Sequence, residues 1–210
     1  MTLKIRYLLL YNLLSLLAWT YLTARVLLLL LLPFVIAGEP ADLLHPVTVL
    51  QTAAALEVLH SVLGLVRASP GTTALQVGGR NLVVWTVMRR FPDLVFEAGR
   101  LGFTGCLMAW GCSDVLRYAF FVAQLVAGGA PEWLRWLRYT AFIPLYPVGF
   151  LGEASLVYLA LVEGTGVGPL YRAYLFVGLL AYVPASYILY TYMFSQRRRA
   201  LGKAERMKRA

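Results

Sequence analysis

The chain has 210 residues, 60% of them hydrophobic and 14% charged, with a formal net charge of +9. A soluble domain is nearer about half apolar and about a quarter charged, so the composition excludes an ordinary soluble enzyme and points to a polytopic helical membrane protein with no separate soluble domain. Much of the positive charge sits in the C-terminal tail, which fits a membrane-orientation signal and argues against a basic face that holds nucleic acid.

Lys4 and Arg6 precede an apolar run longer than the roughly 7–15 residues of a signal-peptide core. A retained first span is expected over residues 7–36, unbroken from Leu27 to Leu32 and ending near Pro33. Arg25 interrupts it and is expected to snorkel or face the bundle in a structural role. Residues 37–42 read as a turn with two acids and no base.

A second span is expected over residues 46–66. Glu57 and His60 stand at i, i+3 on one face of it, as a proton relay or a hydrogen-bonded strut. The stretch His60-Ser-Val-Leu-Gly-Leu-Val-Arg67 has the outline of the phosphatase loop His-Cys-x5-Arg. Ser61 stands where the nucleophile belongs, and a hydroxyl is not a thiolate. The pattern also falls within an apolar span, so phosphatase activity is not expected. After a polar turn at residues 69–73, a short third span covers residues 74–88, with Gln76 and Arg80 at its start. A charged loop follows, from Arg89 to Arg100.

The fourth span is expected over residues 101–127. Cys106 and Cys112 lie six apart in it, well off one face, so neither a disulfide nor a metal pair is expected. Asp114 and Arg117, at i, i+3, suit a buried ion pair. Residues 128–131 break the chain. Trp133 and Trp136 then read as headgroup-level anchors beside Arg135 and Arg138. The fifth span covers residues 139–162, a flexible loop 163–169, and the sixth span 170–194 with Pro184 and six tyrosines that carry no assigned chemistry. The fold class is thus all-α, a bundle of about six transmembrane helices. An even count puts both basic termini in the cytosol. Residues 1–195 form one membrane domain and 196–210 a basic cytosolic tail.

The fifth span holds the most informative pair. Tyr146 and Glu153 are seven residues apart, about two turns, so they share a face roughly 10 Å apart along a straight axis. Pro144 and Pro147 predict a bent backbone. Gly149 and Gly152 leave room for another element beside the pair. A carboxyl at membrane depth costs at least about 2.5–3.5 kcal/mol and is a functional candidate by default. On the residues alone, Glu57, His60, Asp114 and Glu153 suit the proton path of a small transporter as well as a catalytic site.

The run Arg138-Tyr-Thr-Ala-Phe-Ile-Pro-Leu-Tyr-Pro-Val-Gly-Phe-Leu-Gly-Glu153 resembles the signature of the very-long-chain (3R)-3-hydroxyacyl-CoA dehydratases, formerly called protein-tyrosine-phosphatase-like membrane proteins. The resemblance continues in Leu56-Glu57, His60, Gly64-Leu65-Val66, Thr72, Gln76 and Arg80, and in Trp110, Arg117 and Tyr118. It covers nearly the whole chain. Gly79 stands where a small polar residue is usual, Gly111 where the family has Ser or Thr, and Asp114 where it has Glu.

The resemblance implies that Tyr146 and Glu153 are the catalytic pair. It implies binding or supporting roles for Glu57, His60, Gln76, Arg80, Asp114, Arg117, Tyr118, Arg138, Tyr139 and Gly149. The implied reaction is dehydration of a long-chain (3R)-3-hydroxyacyl-CoA to trans-2-enoyl-CoA, a hydro-lyase step of fatty-acid elongation in the endoplasmic reticulum membrane. The implied partners are membrane lipid and the condensing enzyme, ketoacyl reductase and enoyl reductase. Dehydration takes a proton from C2 and expels hydroxide from C3, so it needs a base and a proton donor. Glu153 is expected as base and Tyr146 as acid. Arg67, Arg80, Arg135 and Arg138 are expected at the cytosolic mouth, where CoA phosphates would lie. No metal or cofactor is expected. The alternatives are a non-catalytic scaffold of the elongation complex and a small proton-coupled transporter.

Overall fold

Leucine-rich sequence without glycine or proline makes the first 29-residue helix, α1 (Leu3–Leu31). Thr2 Oγ1 accepts from Ile5 N at 3.4 Å at its start. The helix is about 43 Å long, more than the roughly 30 Å of a bilayer's hydrocarbon core. The computed structural model describes residues 1–32 and 38–209, with side chains described to residue 202. The expected end of the first span, Pro33 to Ile36, and Ala37 of the expected turn lie outside the described residues.

A 3-10 turn (Pro40–Leu43) leads to α2 (Leu44–Ala53) and α3 (Ala55–Val62), which meet at Ala54. Helix α4 (Pro70–Val83) runs on into a π turn (Val84–Met88). The short α5 (Pro92–Phe96) precedes the long α6 (Arg100–Ala127). Gly128, at φ 69°, ends α6 in the left-handed conformation that glycine adopts without strain. Then come α7 (Glu132–Thr140), α8 (Phe142–Val162) and α9 (Pro169–Arg209). The expected tail therefore begins inside a helix that continues the last span.

Among the described residues, four helical stretches are long and apolar enough to cross a membrane: Leu3–Leu31, Arg100–Ala127, Glu132–Val162 and Pro169–Gly202. The expected second and third spans are helical too, but in shorter pieces. They are α2 with 10 residues, α3 with 8, and α4 with 14 before its π turn.

Helix α6 is central, with α1 packed along it on one side and α8 on another. Trp19, Leu22 and Val26 of α1 share one core with Phe103, Cys106, Leu107 and Trp110 of α6 and Leu156 and Ala160 of α8. Lipid is as apolar as these side chains, so close fit rather than escape from water holds such helices together. A Cβ at Gly152 would lie 2.7 Å from Gly102 O and 3.0 Å from Cys106 Cβ. The close approach expected at Gly152 is therefore the α6–α8 crossing. Gly111 meets Thr23 of α1 in the same way, which explains glycine at that position. Cys106 and Cys112 are free thiols, as expected. Arg25 reaches Tyr21 OH at 3.2 Å and Asp42 at 3.9 Å, a structural role that ties α1 to the acidic turn.

The proline effect is local. Pro144 falls in the first turn of α8, and α7 and α8 join at Ala141, which keeps helical dihedrals and bonds to Leu137 O at 2.8 Å. Pro147 lies inside α8 and cannot donate to Ile143 O. Tyr190 OH of α9 donates to that carbonyl instead, at 3.2 Å.

Candidate active site

A cavity of about 490 Å³ opens between α4, α6, α8 and α9. Tyr146, Gly149 and Glu153 line it from α8, Gln76 and Arg80 from α4, Asp114 and Arg117 from α6, and Glu57 from α3. The two-turn spacing thus brings Tyr146 and Glu153 to one hollow, beside most of the residues that the sequence singles out. A Cβ at Gly149 would come 3.3 Å from that of Ala109, so α8 lies close to α6 here as well.

Glu153 is held at both oxygens. Trp110 Nε1 donates to Oε1 at 2.8 Å and Tyr182 OH donates to Oε2 at 2.9 Å. Both donors are neutral. The Arg80 guanidinium carbon lies over the same indole, 5.3 Å from the centre of the Trp110 ring.

Tyr146 donates to Ser186 O at 3.3 Å, and its ring stacks on Tyr190 at 5.3 Å with 20° between planes. Tyr190 is the residue that serves the carbonyl Pro147 leaves free. The proline therefore fixes the ring behind the Tyr146 phenol.

The other two acids at the cavity have cationic partners. Arg80 Nη1 lies 2.7 Å from Asp114 Oδ2. Arg117 reaches Asp114 Oδ1 at 3.1 Å through Nε and also donates to Glu57. Tyr118 and Tyr11 donate to Glu57 as well, Tyr11 at 3.4 Å. Two guanidiniums and two carboxylates alternate, so their charges cancel within a part-buried cluster. The i, i+3 pair of Asp114 and Arg117 forms as expected.

Several expected neighbours stand behind the cavity wall. His60 is buried and its Nε2 meets Tyr7 OH at 2.8 Å. Glu57 and His60 do share a face, yet each bonds elsewhere; Tyr11 joins them, with its ring against His60 and its hydroxyl on Glu57. Arg138 packs its guanidinium carbon 4.7 and 4.6 Å from the rings of Phe120 and Phe121 and donates to Arg117 O at 3.4 Å. Tyr139 meets Phe120 edge-on. Arg80, expected at a cytosolic mouth, lines the cavity and pairs with Asp114.

Trp110, Tyr182, Ser186 and Tyr190 are the contacts that sequence reasoning did not assign. A signal was present. Tyr182, Ser186 and Tyr190 follow at i, i+4, i+8, one helical stripe.

Residues 51–203 match the family model described as protein tyrosine phosphatase-like protein, PTPLA. The chain is 37% identical over 206 residues, 96% of each chain, to a probable very-long-chain (3R)-3-hydroxyacyl-CoA dehydratase of Schizosaccharomyces pombe. It is 36% identical over 175 residues, 77% of each chain, to very-long-chain (3R)-3-hydroxyacyl-CoA dehydratase PASTICCINO 2 of Arabidopsis thaliana. Against very-long-chain (3R)-3-hydroxyacyl-CoA dehydratase 2 of Homo sapiens the identity is 33% over 177 residues, 78% of this chain and 68% of the relative. No solved structure matches the chain.

Proposed function

The chain belongs to the protein tyrosine phosphatase-like, PTPLA, family, and from that premise we propose that it dehydrates long-chain (3R)-3-hydroxyacyl-CoA to trans-2-enoyl-CoA, a hydro-lyase step of fatty-acid elongation. The observation that carries the chemistry is the contrast among three acids at one cavity. Glu57 and Asp114 are bound by arginine, whereas Glu153 is bound by an indole and a phenol. Neutral donors orient a carboxylate without binding a cation directly to it, so its charge is offset less than in an arginine pair.

In this reading the acyl chain enters the cavity with C2 facing Glu153 and the C3 hydroxyl facing Tyr146. Glu153 takes the C2 proton. Tyr146 gives its phenolic proton to the departing hydroxyl, and water leaves. The proton on Glu153 then returns to Tyr146, so both groups end as they began. Ser186 O holds the Tyr146 hydroxyl until substrate offers a better acceptor.

We further place α2–α3 and α4 with its π turn in the membrane as two more spans, which gives six and puts both termini in the cytosol. The membrane is that of the endoplasmic reticulum, and the partners are the condensing enzyme and the two reductases of the same cycle. The CoA phosphates lie near Arg67 and Arg135. The reaction as written calls on no metal or cofactor.

The test is direct. Purified protein, shown to be folded, is given (3R)-3-hydroxypalmitoyl-CoA and the conjugated enoyl thioester is followed. Formation of trans-2-enoyl-CoA is expected; folded protein that forms none sinks the reading.

A further inference from the structure

The cavity is longer than the reaction requires. Past Glu153 and its partner Tyr182 it continues along α9 by Gly178 to Tyr174 and Leu175, with Leu82 and Thr86 opposite. Tyr182 and Tyr174 are eight residues apart, about 12 Å of helix at about 1.5 Å per residue. Carbon–carbon bonds of about 1.52 Å meeting near 111° advance an extended chain roughly 1.25 Å each. This arm therefore takes roughly ten carbons beyond the reacting pair.

Two features bound the arm. Gly178 stands four residues from each tyrosine and so on the same face of α9. A Cβ built there meets nothing within 4 Å, so a side chain would fill the cavity rather than displace a neighbour. At the far end α9 reaches across to the π turn. Tyr171 OH donates to Thr86 O, while Tyr174 Oη lies 3.5 Å from Thr86 Oγ1. The second contact is long for a hydrogen bond and is easily parted.

We propose that this arm holds the substrate's acyl chain, and that Gly178 and the Tyr171–Thr86–Tyr174 closure set the chain length the protein accepts. The inference rests on the dehydratase reading. Gly178 keeps the arm open at its midpoint, and the closure narrows its far end, where Tyr174 keeps 42% of its surface exposed. By the same arithmetic an octanoyl chain ends near Gly178. A palmitoyl chain, with thirteen carbons past C3, overfills the arm by roughly three carbons and already presses on the closure. A docosanoyl chain must part Tyr174 from Thr86 to fit.

The experiment compares (3R)-3-hydroxyoctanoyl-CoA, 3-hydroxypalmitoyl-CoA and 3-hydroxydocosanoyl-CoA as substrates of the purified chain. Gly178→Leu is expected to lower kcat/KM for the palmitoyl substrate about tenfold or more relative to the octanoyl one. Tyr174→Ala is expected to raise the docosanoyl-to-palmitoyl ratio about threefold or more. Misfolding cannot produce that gain, so the second variant decides the matter even if the first fails to fold. A docosanoyl-to-palmitoyl ratio unmoved by Tyr174→Ala, or a Gly178→Leu loss equal at every length, overturns the inference while wild-type turnover leaves the dehydratase reading standing. A wild-type protein that turns over none of the three overturns both.

Discussion

The Tyr182 hydroxyl donates to Glu153 Oε2 at 2.9 Å across the seam between α9 and α8. Trp110 holds the other oxygen at 2.8 Å, so the carboxylate plane is fixed from two helices. Tyr182→Phe keeps the ring and removes one donor. The carboxylate can then turn away from C2, and small misplacements of a reacting group are costly. We expect kcat to fall roughly ten- to a hundredfold with little change in KM. Steady-state kinetics check this: a variant that changes KM alone would assign Tyr182 to substrate binding instead.

Glu153→Gln and Tyr146→Phe remove the proposed base and acid with little change of shape. The phenylalanine keeps its stack on Tyr190. Each variant is expected to lower kcat by about 10²–10⁴. The double variant should be little worse than the poorer single one, since groups that act in one step are not additive. Turnover is measured beside thermal unfolding, so that lost activity is separated from lost fold. Wild-type turnover in either single variant would end the assignment.

Asp114 is 3% exposed and binds both Arg80 and Arg117. Asp114→Asn would leave two guanidiniums to share Glu57. We expect a loss of about 3 kcal/mol, the low end for breaking a buried pair, because each arginine side chain keeps 27% of its surface open. Thermal unfolding in detergent reads the loss. Asp114→Glu keeps the charge and should cost less; an equal cost would show that reach, not charge, governs the site.

Polar residues at helical spacing inside apolar runs made much of this site legible. Asp114 and Arg117 sit three apart and do pair. Tyr146 and Glu153 sit seven apart and do share a cavity. Gly152 marks a helix crossing, as its missing side chain suggests. Spacing defines a face, however, and not the partner that the face meets. Glu57 and His60 illustrate this, since Arg117 and Tyr7 take them. The partners of Glu153 come from α6 and α9, and their meeting depends on how deep and how rotated those helices lie. On α9 the stripe of Tyr182, Ser186 and Tyr190 faces α8, while Tyr187 is 72% exposed. Composition alone does not separate the two kinds of tyrosine. Hydropathy likewise reads residues 46–66 as one apolar run and does not show its division into α2 and α3 at Ala54.

The backbone carbonyl of Ile143 offers a test of how the site is braced. Pro147 denies it a helical partner, and Tyr190 OH supplies one at 3.2 Å. Tyr190→Phe removes that donor while keeping an aromatic ring beside Tyr146. A carbonyl left unpaired away from water costs about 1–3 kcal/mol. Pro147→Ala restores an amide at position 147, and Ile143 O can then bond within α8. In that background Tyr190→Phe should cost little. A double-mutant cycle by thermal unfolding is therefore expected to show a coupling of about 1–2 kcal/mol. The same cycle read as kcat should show Tyr190→Phe hurting turnover more with Pro147 present than with alanine there. Costs that simply add would mean that Tyr190 is not bound to the proline's vacancy, and that Tyr146 is held by its stack and its bond to Ser186 O without help from the proline.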